Sequence, residues 1–161
     1  MVRCGARETP IYARKLVLIR YNLSFNSPSD FYQKYRDDVG AARKAAFQIG
    51  QKMGRMMIQK DGIKGNDLGA VADILNSAMR LVKGEQSARL ENDKITMRNT
   101  GFCAIMRAAL TLDIPWEWLD SNFAWPWLEG IASIVRPDIR LSVSSARCRG
   151  DKVCVHVFEI G

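Results

Sequence analysis

The stretch "VGAARKAAFQIGQKMGRMM" (39–57) repeats its apolar positions at three- and four-residue steps. Val39, Ala42, Ala46, Ile49, Met53 and Met57 share one face, which predicts an amphipathic helix. Gly50 and Gly54 lie one turn apart within it. Each glycine weakens a helix by about 1 kcal/mol relative to alanine. Two of them in register therefore predict that another element, or a ligand, approaches that side closely.

The flanking sequence places further elements around this helix. "KLVLIRYNLSF" (15–25) reads as an early strand. Ser27 or Ser29 is a candidate N-cap, with Pro28 and Asp30 in the first turn. "KDGIKGND" ends the helix at its glycines, and Asn66 or Asp67 caps a second helix over about 68–82. The face of that helix is Leu68, Val71, Leu75, Ala78 and Leu81 or Val82, and Gly84 stops it. "ARLENDKITMRNTGFC" reads as extended, with a turn at Asn92-Asp93 and a strand through Ile95 and Met97. "CAIMRAALTLD" suits a short helix. Pro115 and Pro126 start two short helical pieces. "DIRLSVSSARC" and "KVCVHVFEI" are two strands joined by "RGD". The expected class is α+β, with an antiparallel sheet at the C-terminus.

A chain of 161 residues is expected to form one domain over 1–161, with residues 1–10 loose. Its 47% hydrophobic and 25% charged residues match ordinary globular composition. No apolar run approaches the roughly 18 residues of a spanning helix. "MVRCGARETP" lacks the apolar core of a signal peptide. A cytoplasmic location without membrane insertion is expected. The net charge of +7 suits an anionic partner, but the basic residues are scattered. Nucleic-acid binding is accordingly not the expectation.

Chemistry-bearing residues are few. His156 is the only histidine, so any Cys–His or Ser–His mechanism must use it. No carboxylate pair and no phosphate-cradling glycine loop stand out. Cys148, Cys154 and His156 form a C-x5-C-x-H stretch, to which Cys103 could add a third thiolate. Three readings stay open: a partial zinc site, half-buried thiols acting as small apolar residues, or a redox disulfide. Hairpin register bears on the choice. A two-residue turn at Gly150-Asp151 pairs Val143 with Phe158 and Leu141 with Ile160, and it puts the two thiols on opposite faces. A three-residue loop or bulge brings the thiols together and sets Val143 against Glu159. Upstream, Trp116, Trp118, Phe123, Trp125 and Trp127 crowd one short segment, and Met53, Met56 and Met57 end the first helix. Such surfaces line apolar pockets or interfaces.

"ITMRNTGFC" (95–103), "FAWPWLEGIASIV" (123–135) and "ARCRGDKVCVHVFEI" (146–160), with the glycine-spaced helix 39–57, resemble the 4-vinyl reductase-type, or predicted hydrocarbon-binding, domain. The likeness spans most of residues 30–160. It implies the α/β fold of haem-nitric-oxide sensors and of vesicle-tethering subunits, an apolar cavity between helices and sheet, and a homodimer. The implied function is binding or sensing of a small apolar molecule, here against Met53, Met57, Phe102, Trp116 and Trp125. Haem is not expected, because the histidine lies in the hairpin and not on an early helix. In aromatic-sensing relatives the hairpin cysteines bind zinc. By that likeness Cys148 and Cys154 are metal ligands. Ser145 stands where those relatives have a glutamate, and their upstream cysteine aligns near Asp120 or Ser121. His156, Cys103 or Asp120 would have to complete the set. Related domains also include hydrolases and tetrapyrrole vinyl reductases, so a cysteine-dependent enzyme using Cys103 or Cys154 is the alternative.

Overall fold

The computed structural model describes residues 27–161. The strand expected over 15–25 and the loose segment over 1–10 lie outside the described residues. Ser27 caps helix α1 (Pro28–Tyr35), its hydroxyl accepting the Asp30 N–H at 3.2 Å. The chain breaks at Arg36–Asp38 and restarts as α2 (Val39–Asp61), with the Asp38 carboxylate accepting the Ala41 N–H at 2.9 Å. Gly62, in the left-handed region at φ 65°, ends α2. Asp67 caps α3 (Leu68–Val82), accepting the Ala70 N–H at 2.8 Å.

The expected apolar face of α2 is buried from Ala42 to Met57, while Val39 at its start is exposed. The glycines do what their spacing requires. A Cβ on Gly50 would stand 2.1 Å from the Trp127 carbonyl oxygen, and one on Gly54 would stand 3.1 Å from that of Ile131. The approach is reciprocal, because a Cβ on Gly130 would stand 2.2 Å from the Phe47 carbonyl oxygen. Two helix backbones therefore touch, and the partner of α2 is the tryptophan-rich segment.

That segment differs from two proline-started pieces. It runs on from α5 (Trp116–Leu119) through one π-helical stretch, Asp120–Ala124, into α6 (Trp125–Ser133). Pro126 comes directly after the π stretch, where the i→i−4 ladder is already interrupted, so its missing N–H is tolerated within a continuous helical run. The π stretch adds a residue to the turn and so rotates the face presented downstream.

Among the described residues the sheet has four antiparallel strands: β1 (Ala88–Glu91), β2 (Lys94–Asn99), β3 (Ile139–Ser145) and β4 (Cys154–Ile160). Their order is β1-β2-β4-β3. Asn92 and Asp93 close the first hairpin with φ of 47° and 60°, the left-handed pair that matches strand twist. Helix α4 (Ala104–Leu112) follows β2. Helices α3 and α6 pack against the sheet, α3 on β1 and β2 and α6 on β3. The C-terminal hairpin thus completes a mixed α and β architecture of helices laid on an antiparallel sheet.

The hairpin register corrects both expected pairings of Val143, while the irregularity that the second alternative required is present. Leu141 pairs with Phe158, Val143 with His156 and Ile139 with Ile160, with an irregularity between Val143 and Ser145. The connection is longer than a two-residue turn. It carries a 3-10 turn at Arg147–Arg149 and Gly150 at φ 96°. The Asp151 carboxylate holds it by accepting the Ala146 N–H at 2.8 Å.

Candidate ligand-binding site

A cavity lies where the helices meet the sheet. The centre of a water-sized sphere can range over about 70 Å³ inside it, several times the roughly 10–15 Å³ one water requires. Its walls come from every layer: Met53 of α2, Met79 of α3, Ala108 of α4, Phe123 and Trp127 of the tryptophan segment, and His156 of β4. The lining is overwhelmingly apolar, and among the described residues no lysine or arginine belongs to it.

The structure separates the residues expected to bind ligand. Met53 and Phe102 line the cavity. Phe102 is 43% exposed, which puts it at the rim. The loop bearing it is held on three sides. Glu85 accepts the Phe102 N–H at 2.9 Å, the Asn99 amide bridges Gly101 N and Phe102 O, and Arg147 donates to Gly101 O. Met57 lies instead in a second groove between α2 and α3, with Met56, Lys60 and Arg80. Trp116 and Trp125 support the hairpin turn. The Arg147 guanidinium sits 6.0 Å from the Trp116 ring, and that of Arg149 sits 4.7 Å from the Trp125 ring while pairing with Glu117 at 3.0 Å. Trp118 packs on Tyr32 of α1.

Of the four tryptophans only Trp127 reaches the cavity. Its indole N–H donates to the Met53 sulfur at 3.2 Å. Phe123, Trp127 and Ile131 fall at four-residue steps and are all buried. That helical spacing was the available signal, but reading the segment as broken at its prolines concealed it.

The cavity wall also carries Cys103, Asp120 and Cys154. The Cys148 thiol faces the Asp120 carboxyl, and the charge of Asp120 acts on all three thiols. The Trp116 indole N–H points at the same carboxyl without reaching hydrogen-bond geometry. Asp120 is 6% exposed. Burial lifts it to about 6, against the weaker pull of the Cys148 and Trp116 donors and of Arg149. Burial followed by the Asp120 charge pushes Cys148 up to about 12. Cys103 and Cys154 are also raised, chiefly by burial. The Cys103 thiol additionally caps α4, accepting the Met106 N–H at 3.4 Å. Burial lowers His156 to about 4, so it is neutral at pH 7. A nucleophilic cysteine needs the opposite environment, one that favours thiolate.

The donors Cys103, Asp120, Cys148 and Cys154 are of the types zinc takes. Among the described residues, however, no three His, Cys, Asp or Glu side chains are grouped to hold a metal. Nor is any described helix long and apolar enough to cross a membrane.

No protein-family model, no curated protein and no solved structure matches the chain. The likeness to the 4-vinyl reductase-type domain rests on the quoted motifs.

Proposed function

We propose that this chain is a small-molecule-binding domain that holds an apolar ligand in the cavity between helices and sheet. The observation that carries this reading is the cavity itself, apolar, roomy enough for a small molecule, and lined from every layer of the fold. A convergent apolar pocket with few polar groups is the usual form of a ligand site. The raised thiols favour binding over cysteine catalysis, since none is poised as a thiolate. Met53 and Phe102 remain the ligand contacts in this reading, joined by Trp127 and Phe123.

Native mass spectrometry of gently purified protein tests it. A retained small molecule, or an apolar additive that raises the melting temperature, is expected. The absence of both would sink the reading. The same spectrum tests the homodimer implied by the family likeness, which would appear at twice the chain mass. A structural zinc shared by Cys148 and Cys154 would require Cys103 or Asp120 to close on them. Metal analysis of that sample decides it: near one equivalent supports the site, and less than about a tenth rejects it, because closed zinc sites bind tightly.

A further inference from the structure

The cavity wall carries polar atoms, and nearly all are spoken for. The Asn99 amide is engaged through both its atoms, donating to Phe102 O at 3.1 Å and accepting from Gly101 N at 2.9 Å. The Trp127 N–H is spent on Met53. The Asp120 carboxyl faces Cys148. Two atoms are left. Gln86 donates through Nε2 to the Met79 sulfur at 3.2 Å, which leaves its Oε1 buried without a partner. His156 is 6% exposed, and its Nδ1 is buried without a partner. Both side chains line the cavity.

A buried polar atom without a hydrogen bond is unfavourable. Two of them in side chains that line one apolar cavity therefore describe what would enter it and draw them out. Gln86 Oε1 accepts only, so it calls for an O–H or N–H. A hydroxyl both donates and accepts, so it serves His156 Nδ1 in either tautomer. An anion finds no cation in the lining and meets Asp120 there. From these features, which rest on the binding reading above, we infer that the ligand is an uncharged molecule with an apolar body and at least one hydroxyl, read by Gln86 and His156.

A matched series on one carbon skeleton tests this by calorimetric titration: cyclohexanol, methylcyclohexane and cyclohexanecarboxylate. Methylcyclohexane gains more than cyclohexanol on leaving water, so the readout is the ratio of their affinities compared between proteins. The cyclohexanol-to-methylcyclohexane ratio is expected to be at least about fivefold higher in wild type than in Gln86→Leu or in His156→Leu, the factor that one satisfied buried acceptor supplies, and the carboxylate to bind wild type more weakly than either. Gln86 is only half-buried, so its variant keeps the test open should the core His156→Leu protein fail to fold. A ratio unchanged in every folded variant overturns the inference and leaves the apolar cavity standing. So does tightest binding by the carboxylate. Failure of all three compounds to bind overturns the cavity reading as well.

Discussion

Asp120 and His156 titrate in opposite senses across the same pH range. The folded-state value of His156, about 4, lies below its ordinary 6.5. Above pH 6.5 it is neutral in both states, and as pH falls toward 4 only the unfolded chain takes the proton, so stability is lost. Asp120 is raised from 3.8 to about 6. As pH falls from 6 toward 3.8 the folded chain takes the proton first, so stability is gained. Each effect is on the order of 3 kcal/mol at full extent, and they largely offset. In metal-free protein, His156→Gln should therefore be more stable relative to wild type at pH 5 than at pH 7. Asp120→Asn should show its largest relative gain at pH 7 and lose it on acidification. Urea midpoints at the two pH values measure both, and parallel pH profiles for all three proteins would refute the assignment. A second expectation concerns the thiols. Cys148, pushed up to about 12, should react with iodoacetamide at pH 7 far more slowly than a free thiol, and a rate equal to or above that of free cysteine would contradict its environment. The sequence showed that Cys154 and His156 share a face, since strand side chains alternate. It gave no sign of Gln86, whose place at the wall depends on how α3 and the β1–β2 hairpin fold together.

The crossing of α2 with α6 was half legible. Gly50 and Gly54 announced a close neighbour, but only the structure identifies it as the backbone from Trp127 to Ile131, with Gly130 returning the contact. Gly130→Ala and Gly50→Ala should each destabilise the protein by about 3 kcal/mol or more, because the new Cβ meets backbone that cannot step aside. Gly40→Ala, whose Cβ would meet the Asp38 carboxylate at an ordinary 3.6 Å, should instead stabilise by up to about 1 kcal/mol. Chemical denaturation of the three variants checks the contrast, and equal effects would mean the helices do not touch at the glycines. The hairpin register escaped the sequence for a physical reason. The expected two-residue turn and the observed pairing of Leu141 with Phe158 differ by a two-residue slip, which leaves every side chain on the same face. The hydrophobic pattern cannot tell such registers apart. The connection decides, and its 3-10 turn carries Cys148 back toward Asp120. The π stretch at Asp120–Ala124 was equally hidden, because no composition marks a single wide turn.

At the scale of the whole molecule, the class of fold followed from helical and strand periodicities, and the structure bears it out as helices on an antiparallel sheet. The cavity did not follow in the same way. It arises where Met53, Met79, Ala108, Phe123, Trp127 and His156 from separate elements stop short of filling the core, and no local pattern reports a gap. Binding a small apolar molecule there is the central claim. Methyl NMR of the protein under xenon pressure tests it most directly, because apolar cavities take up xenon. Saturable shifts at the methyls of Ala108 and Met79, which line the cavity, with none at Met56, which lines only the outer groove, are the expected result. No saturable shift at Ala108 and Met79, or an equal one at Met56, would contradict it.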